Sequence, residues 1–589
     1  MKKLFFLLLF SATVAFSQNQ ALAVDYFEKG EYEKAIVLFI PLFNENPNNQ
    51  IVFESLLQSY IELQNYTEAE AIILKREKRN PAPYLQVERG YIQTLQGNKE
   101  KADQFYNEAI TGIKNNASIC YYVARNFEKK GLLDWAIKSY EKGKEANPKL
   151  NLDYQIALLE GQRGNTDVMA DKLLDYAFNN QSQTARVQNN LTFFMTNESN
   201  TTFSDYLRKT LLIRTQKTPN TYWNQFLSWY FVQNEQYDKA FTQEKAVYKR
   251  EGESLQPILT LATLALEAND SETVGATLNF ILENTTDTDL KIKAHYFLMQ
   301  QKIDTAAEIQ YNEIEQELDL LLKQYGIRPT SIMLQILTAR FYCFKQNNPV
   351  KAINLLEESL KLPMTSLEKG SLKMELAECK LFAEQFDQSI LLYAQVETNA
   401  KHDELAHEAT FKMAKANYFK NDFEWALTQV KVLKQSPSLL IANDAIELYL
   451  TINDNTAEDS TQVALKAFSK AEFALFQNKT QDALQQFLTL LEKHKGEEIE
   501  DETLFKIAKI YESQKNYTEA LNYYETILAM PESIYRDEAY YFSAEIYRIH
   551  LVQPEKAKVL YEKIVLEHQD SIYFGSAQKQ YRLLRGDNI

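Results

Sequence analysis

The chain has 589 residues and a mass of 68.4 kDa, which is longer than a single hydrophobic core normally grows, so several domains or one repeat array are expected. Only 15 glycines and 13 prolines occur, which argues against a fold rich in sheets and loops and favours helices. The formal net charge of −16 disfavours nucleic acid and anionic lipid as partners.

The segment from Met1 to Ser17 has the pattern of a secretory signal peptide. A basic start is followed by an apolar run from Leu4 to Phe10, and small residues stand at positions 15 and 17. The apolar run is too short to span a bilayer. The first cysteine is Cys120, so no cysteine near the cleavage site could carry a lipid anchor. We therefore expect an exported, periplasmic or secreted protein that is cleaved after Ser17.

Small residues recur at a regular interval between residues 18 and 178, and each opens a stretch with the period of an amphipathic helix. A turn residue such as Gly30 or Gly97 precedes the small residue, and another helical stretch precedes the turn. We call these small residues the markers; they are Ala35, Ala69, Ala102, Ala136 and Ala170. Because one amphipathic pair cannot bury its apolar face alone, the period predicts an N-terminal array of stacked helix pairs over residues 18–178.

Residues 179–330 keep apolar helical stretches but lose the regular spacing. One further marker, Ala240, falls two repeats beyond Ala170. A long helix is expected from about Asp304 to Tyr325, and the helix-breaking residues 326–329 follow it. We expect a divergent helical-repeat segment that ends at residue 330.

The markers return between residues 331 and 589 with a longer spacing. They are Ala352, Ser389, Ala426, Ala483, Ala520 and Ala557. The spacing is about 37 residues, within the range of helical repeats, except for one longer interval from Ala426 to Ala483. We assign the additional length to an extra helix near Leu439 to Ile452 and a polar loop from Asn453 to Gln462. This pattern predicts a C-terminal array over residues 331–589.

The N-terminal period of about 34 residues, with this punctuation, resembles the tetratricopeptide repeat, a helix-turn-helix unit that stacks into a superhelix. The resemblance implies an all-α fold, namely an α-solenoid of such repeats. The longer C-terminal repeats, with the closing segment from Tyr561 to Ala577, are similar to tetratricopeptide proteins of Gram-negative cell envelopes that serve outer-membrane assembly and the Tol-Pal system.

In tetratricopeptide domains the first helix of each pair lines a concave surface, which implies a partner-binding groove on the first helices here. The corresponding N-terminal residues are Glu54, Gln58, Tyr91, Tyr121, Arg125 and Gln155. The corresponding C-terminal residues are Phe341, Lys415, Glu472, Lys509 and Phe542. Tyr91, Tyr121 and Arg125 are predicted to form an anchor cluster, because tyrosine and arginine often carry interface energy.

The sequence contains no recognisable catalytic, cofactor-binding or metal-binding motif. His402 and His407 are five positions apart, whereas a zinc-binding helix needs two histidines four apart. No phosphate-binding glycine loop and no nucleophile elbow occurs. We predict a protein without enzymatic activity, cofactor or metal.

The cysteines and the densest acidic run have structural interpretations. Cys343 and Cys379 fall at equivalent places in successive repeats, where helices lie farther apart than a disulfide can bridge, so we expect free, buried thiols.

The acidic run from Glu497 to Glu502 is expected to be the solvated start of a helix.

Together these observations favour a scaffold or adaptor of the bacterial cell envelope that holds a protein or peptide partner in its groove. The alternative is a helical receptor or carrier for glycan or peptidoglycan, because Trp223, Trp229 and Tyr230 offer rings on which sugars could stack.

Overall fold

The computed structural model describes residues 20–197, 201–217, 220–400, 404–434, 438–456 and 462–587. In these ranges the chain is all α and contains no strand. It divides into two compact units, one ending at Trp223 and the other beginning at Asn224. The predicted segment limits at residues 178 and 330 coincide with neither unit end and stay predictions. The expected cleavage site after Ser17 lies outside the described residues.

The first unit is an α-solenoid of helix pairs, in which odd-numbered helices come first in each pair and even-numbered helices second. These helices are α1 (20–28), α2 (Tyr32–Glu45), α3 (Gln50–Glu62), α4 (Tyr66–Arg79), α5 (Tyr84–Leu95), α6 (Lys99–Gly112), α7 (Cys120–Lys129), α8 (Leu133–Ala146), α9 (Asp153–Gln162), α10 (Thr166–Asn179), α11 (Thr184–Asn197) and α12 (Thr201–Lys217). The division between the units falls within α13 (Thr221–Gln233).

The second unit is built from the same kind of pair. Its helices after α13 are α14 (Tyr237–Glu251), α15 (Gln256–Glu267), α16 (Ser271–Asn284), α17 (Thr288–Thr305), α18 (Tyr311–Tyr325), α19 (Ile332–Arg340), α20 (Pro349–Ser359), α21 (Ser366–Phe382), α22 (Phe386–Asn399), α23 (Glu404–Phe419), α24 (Phe423–Leu433), α25 (Leu439–Asp454), α26 (Val463–Phe476), α27 (Thr480–Lys493), α28 (Glu500–Ser513), α29 (Tyr517–Leu528), α30 (Arg536–Glu545), α31 (Pro554–Glu567) and α32 (Phe574–Arg585). After the extra helix α25, the even-numbered helices α26, α28 and α30 are the first of their pairs.

The markers lie where the helices of a pair cross. Every predicted marker from Ala35 to Ala557 has at most 1% of its surface exposed, which confirms the spacing that the sequence indicates. The marker Ala170 is one position out of phase. The left-handed turn residue Gly164 lies five positions before Met169, so Met169 is the equivalent of the other markers. Both side chains are fully buried. A small side chain at the crossing allows the two backbones to approach closely.

A turn with one residue in the left-handed conformation precedes most second helices in the described part of the chain. That residue stands five positions before the buried residue at the crossing, as Gly97 does before Ala102, with φ of +79°. Glycine adopts this conformation without strain, whereas in other residues it costs about 1–2 kcal/mol of stability. The same turn at Asn269 stands five positions before Val274, in a pair where valine replaces the small marker.

Replacement of Val552 by glycine is expected to stabilise the protein. Val552 has φ of +51° in the turn before α31, and its side chain is 76% exposed, so it carries backbone strain with little packing in return. Val552→Gly should raise the free energy of unfolding by about 1 kcal/mol in a denaturant titration. Val559→Gly, the same change at an exposed site inside α31, should lower it, because glycine weakens a helix interior. A loss of stability in Val552→Gly would contradict the assignment of strain.

The prediction of one continuous helix over residues 304–325 is wrong, because the chain breaks between α17 and α18 there. Ala306 and Ala307 between them are extended, with ψ of 139° and 156°. The backbone N–H of Ala307 donates a hydrogen bond of 2.9 Å to the side chain of Gln310, which caps the new start. No glycine or proline marks this break, so the sequence pattern did not reveal it.

Buried tyrosines join the two helices of several pairs. Tyr524, four positions after its marker, is fully buried and donates a hydrogen bond of 2.8 Å to Glu512 of the preceding helix. Tyr140 makes the equivalent bond to Glu128 at 3.1 Å. Since a buried hydroxyl without a partner costs stability, these bonds fix each second helix against its own first helix.

The extra helix predicted near residues 439–452 is confirmed as α25, and it changes the packing that follows. The next helix, α26, returns to α23 instead of continuing the stack. At the end of α26, Gln477 donates a hydrogen bond of 2.9 Å to the carbonyl of Phe382, and Asn478 donates one of 2.6 Å to the carbonyl of Phe344. These bonds bring Phe476 to helices that lie several repeats earlier in the chain.

Candidate functional site

Three of the six predicted N-terminal groove residues line one cavity. Glu54 and Gln58 of α3 and Tyr91 of α5 face a space of about 300 Å³ that residues of α7 complete. The residues at the α7 end are Asn126, Lys129 and Lys130. This concave site, which we call the α5 cavity, presents carboxylate, amide, ammonium and aromatic groups together.

Two ion pairs cross the α5 cavity. Lys129 contacts Glu54 at 2.9 Å, although the two residues are 75 positions apart. Lys130 contacts Glu88 at 2.8 Å, with the two side chains 9% and 7% exposed, and its ammonium lies 4.6 Å from the ring centre of Tyr91. Burial by itself would raise the pKa of Glu54, but hydrogen bonds from Lys129 and Gln50 lower it below the ordinary value. These ion pairs therefore hold the charged side chains of the cavity in place.

The remaining predicted residues lie outside the α5 cavity. Tyr121 is 37% exposed on α7 and packs edge-on against Tyr140, with ring centres 5.9 Å apart. Arg125 is exposed on the same helix. Gln155 is half-buried on α9, and its side-chain oxygen has no hydrogen-bond partner. The structure thus does not gather Tyr91, Tyr121 and Arg125 around a single cavity, and their role as anchors stays a prediction.

The sequence reasoning missed the charged residues that complete the α5 cavity. Lys129 and Lys130 end a first helix, where basic residues are ordinarily interpreted as solvated partners of the helix dipole. Glu88 is only 5% exposed, which is rare for an unpaired glutamate and requires its lysine partner. One signal in the sequence could have indicated these lysines. Two consecutive lysines end a helix that also supplies predicted groove residues.

Two of the cavities in the second unit are both lined by Phe476. One, of about 460 Å³, lies beside α23, and we call it the α23 cavity. The other, of about 530 Å³, lies beside α19, and we call it the α19 cavity. Glu378 and Phe476 line both. Because α26 reaches this wall only through the packing change after α25, no local sequence pattern indicates either cavity.

The predicted C-terminal groove residues do not form one surface. Lys415 lines the α23 cavity, whereas Phe341 lines the α19 cavity and is only 1% exposed. Glu472 accepts a hydrogen bond of 2.8 Å from the buried Tyr418. Lys509 lies 3.7 Å from the ring centre of Phe542. These residues therefore divide between two cavities and two internal contacts.

The acidic run from Glu497 to Glu502 is only partly solvated, which corrects the expectation for its last residue. Glu502 is 5% exposed, and both of its oxygens lie 3.3 Å from the side-chain nitrogen of Asn455. Burial, reinforced by the nearby Asp501, raises the pKa of Glu502 to about 9. This carboxyl is therefore protonated at neutral pH.

A second buried acid interacts with charged residues that line the two cavities. Glu375 of α21 is 7% exposed, and its Oε1 has no hydrogen-bond partner. The nearest cation is the exposed Arg340, whose Nε lies 3.8 Å away. Burial raises the pKa of Glu375 to about 7, against the opposing effect of Arg340.

All three cysteines are buried free thiols, as expected. Cys343 and Cys379 belong to the same hydrophobic core. A hydrogen bond with Cys343, together with burial, raises the pKa of the Cys379 thiol. The two thiols therefore interact in the interior without forming a disulfide.

Two of the three aromatic residues that motivate the glycan hypothesis pack in the interior. Trp223 is 3% exposed and stacks on Phe178, with ring centres 5.1 Å apart. Tyr230 is 4% exposed, whereas Trp229 is half-buried and packs edge-on against Phe226. Trp223 and Tyr230 present no open face on which a sugar could stack, so the glycan hypothesis receives no support from these two rings.

Within the part of the chain that the structure describes, no helix is both long and apolar enough to cross a bilayer. The same residues contain no group of three or more histidine, cysteine, aspartate or glutamate side chains placed to hold a metal ion. His402, one of the two histidines considered above, lies outside the described residues.

The pair formed by α28 and α29 has a buried marker, a left-handed turn residue at Lys515 and the tyrosine bond to Glu512. Residues 501–533 match the tetratricopeptide repeat family. The match covers one repeat, and most of the other described pairs share its left-handed turn and a buried residue five positions later. A scaffold for protein–protein interaction is the function that a tetratricopeptide-type fold suggests.

Comparison with solved structures gives similarity in fold alone. The Naa15/Naa10 complex bound to HypK-THB shares 11% identity over 97% of this chain and 96% of that chain, with a TM-score of 0.30. The APC/C hetero-tetramer Cut9-Hcn1 shares 13% over 97% and 96%, with a TM-score of 0.22. The tetratricopeptide domain of P58(IPK) shares 14% over 71% and 98%, with a TM-score of 0.19. No curated protein sequence matches the chain.

Proposed function

We propose that this protein is a non-enzymatic scaffold or adaptor of the bacterial cell envelope that holds a protein or peptide partner against its N-terminal first helices. The observation that carries the proposal is the α5 cavity, where Glu54, Gln58 and Tyr91 stand beside two lysines. Such a surface offers hydrogen-bond donors, acceptors and an aromatic face to an extended segment of a partner. The concave surfaces of helical repeats are suited to this kind of binding.

The cellular setting rests on two features of the sequence. Export rests on the pattern of residues 1–17 alone, and the Gram-negative envelope rests on the similarity of the segment from Tyr561 to Ala577. A partner of the envelope follows from these two observations taken together.

Site-specific photocrosslinking in cells tests whether a partner lies in the groove. p-Benzoylphenylalanine placed at Tyr91 should yield discrete adducts with another envelope protein. The matched control is Tyr122, which is 68% exposed on α7 but lies outside the α5 cavity. The intact mass of the recovered protein tests export in the same experiment, because a retained segment 1–17 or an added lipid would contradict it. Equal adducts at both positions would contradict the groove.

The triple substitution Tyr91→Ala, Tyr121→Ala, Arg125→Ala is expected to abolish capture of that partner. Each residue that acts as an anchor should cost about 2 kcal/mol or more in binding, so the combined affinity should fall by several orders of magnitude. Tyr122→Ala should change neither binding nor the melting temperature. If the triple variant keeps its melting temperature and still recovers the partner at the wild-type level, the anchor assignment is wrong.

A further inference from the structure

The α23 cavity combines an apolar floor with a predominantly acidic rim. Phe411, Phe419 and Phe476 are among the residues that form the floor. Among the residues that the structure describes, four carboxylates line the cavity against two ammonium groups, and these charged residues are Glu378, Glu404, Glu408, Asp444, Lys412 and Lys415. Such a lining favours a ligand that is positively charged and has an apolar stem.

Among the described rim residues, one lysine is paired with two glutamates, and Asp444 is only partly neutralised. The Nζ of Lys412 lies 2.7 Å from a carboxylate oxygen of Glu378 and 3.4 Å from one of Glu408, so one of the two cations is already paired within the cavity. Lys415 lies 5.7 Å from the ring centre of Phe419. Asp444 on α25 is half-buried and faces Glu447 as well as Lys415. Its charge is therefore only partly neutralised by this chain.

A buried carboxylate senses the charges of this cavity. Glu375 is more than nine-tenths buried, and its Oε1 has no hydrogen-bond partner. The charged groups that act on it line the α23 and α19 cavities; they are Arg340, Glu378, Lys412 and Glu408. A cation bound among these groups would favour the ionised form of Glu375.

We propose that the α23 cavity is a second binding site, which takes the arginine or lysine side chain of a basic segment in a protein partner. Arginine fits best, because its planar guanidinium can donate to two carboxylates and stack on an aromatic ring at the same time. Phenylalanine faces and glutamates occur side by side in this cavity. The net charge of −16 attracts a basic segment from a distance, and the cavity selects the side chain.

This site rests on the proposed scaffold function only in that its ligand is a protein segment. It lies in the other unit from the α5 cavity and uses none of the residues of that cavity. The two proposals can therefore fail separately, because substitutions in one cavity leave the other unchanged.

Binding of synthetic peptides to the full chain tests the proposal. The probe is a fluorescein-labelled nonapeptide of alternating serine and arginine, and the reference is the same peptide with citrulline in place of arginine. Citrulline has nearly the same shape but no charge, so the arginine peptide should bind at least 10-fold more tightly in fluorescence anisotropy at 0.15 M salt. Equal binding of the two peptides would overturn the proposal.

Charge reversal at the rim locates the binding site. Asp444→Lys should weaken binding of the arginine peptide at least 10-fold. Glu525→Lys makes the same change at an exposed position of α29, outside both cavities, and should weaken binding less than 2-fold. Equal losses in the two variants would show attraction by net charge alone and overturn the site. Circular dichroism tests whether each variant is folded, and Asp444→Asn replaces Asp444→Lys if that variant is unfolded.

Discussion

Leucine in place of Ala520 is expected to cost about 3 kcal/mol of stability, the upper part of the range for overpacking a core. Ala520 is fully buried at the crossing of α28 and α29, in the core that also contains Leu504, Ala508 and Tyr524. Three additional carbon atoms cannot be accommodated there without separating the two helices. The separation would also strain the hydrogen bond from Tyr524 to Glu512.

Chemical denaturation followed by circular dichroism measures this loss. Ala529→Leu is the matched control, because the same change at the exposed end of α29 adds a side chain to solvent. The control should remain within about 0.5 kcal/mol of the wild type. If both variants unfold at the same denaturant concentration, close crossing of the helices is not the reason for the small marker.

Glutamine in place of Glu502 is expected to stabilise the protein at pH 8 and to have little effect at pH 4. The pKa of Glu502 is about 9 in the folded chain, against an ordinary value of 4.5. Between these values the folded chain holds a proton that the unfolded chain has released, so stability falls as pH rises through this window. Glutamine keeps a neutral, hydrogen-bonding side chain beside Asn455 and removes this loss.

Denaturant titrations at pH 4 and pH 8 measure the effect, which should reach about 2–5 kcal/mol at the higher pH. Glu498→Gln removes the charge of an exposed residue in the same acidic run. It should change the free energy of unfolding by less than about 0.5 kcal/mol at either pH. A Glu502→Gln variant that is no more stable than the wild type at pH 8 would show that Glu502 is ionised in the folded chain.

Part of the α5 cavity could be predicted from the sequence because the resemblance to tetratricopeptide domains implies which helices line a groove. It assigned Glu54, Gln58 and Tyr91 to the groove face of the first helices, and all three line the α5 cavity. Lys129 could not be assigned in this way, because its partner Glu54 lies 75 positions earlier in the chain. The two residues meet only because three successive first helices line the same cavity.

By itself the sequence determined the all-α class, the pairing of most helices, the position of most turns and the insertion of α25. These features depend on residues within one repeat, such as a buried marker five positions after a left-handed turn residue. Only the tertiary structure decided that α26 returns to α23 and that Glu375 and Glu502 are buried. Burial of a charge depends on which helices cover it, and those helices lie far away in the sequence, where periodicity carries no information.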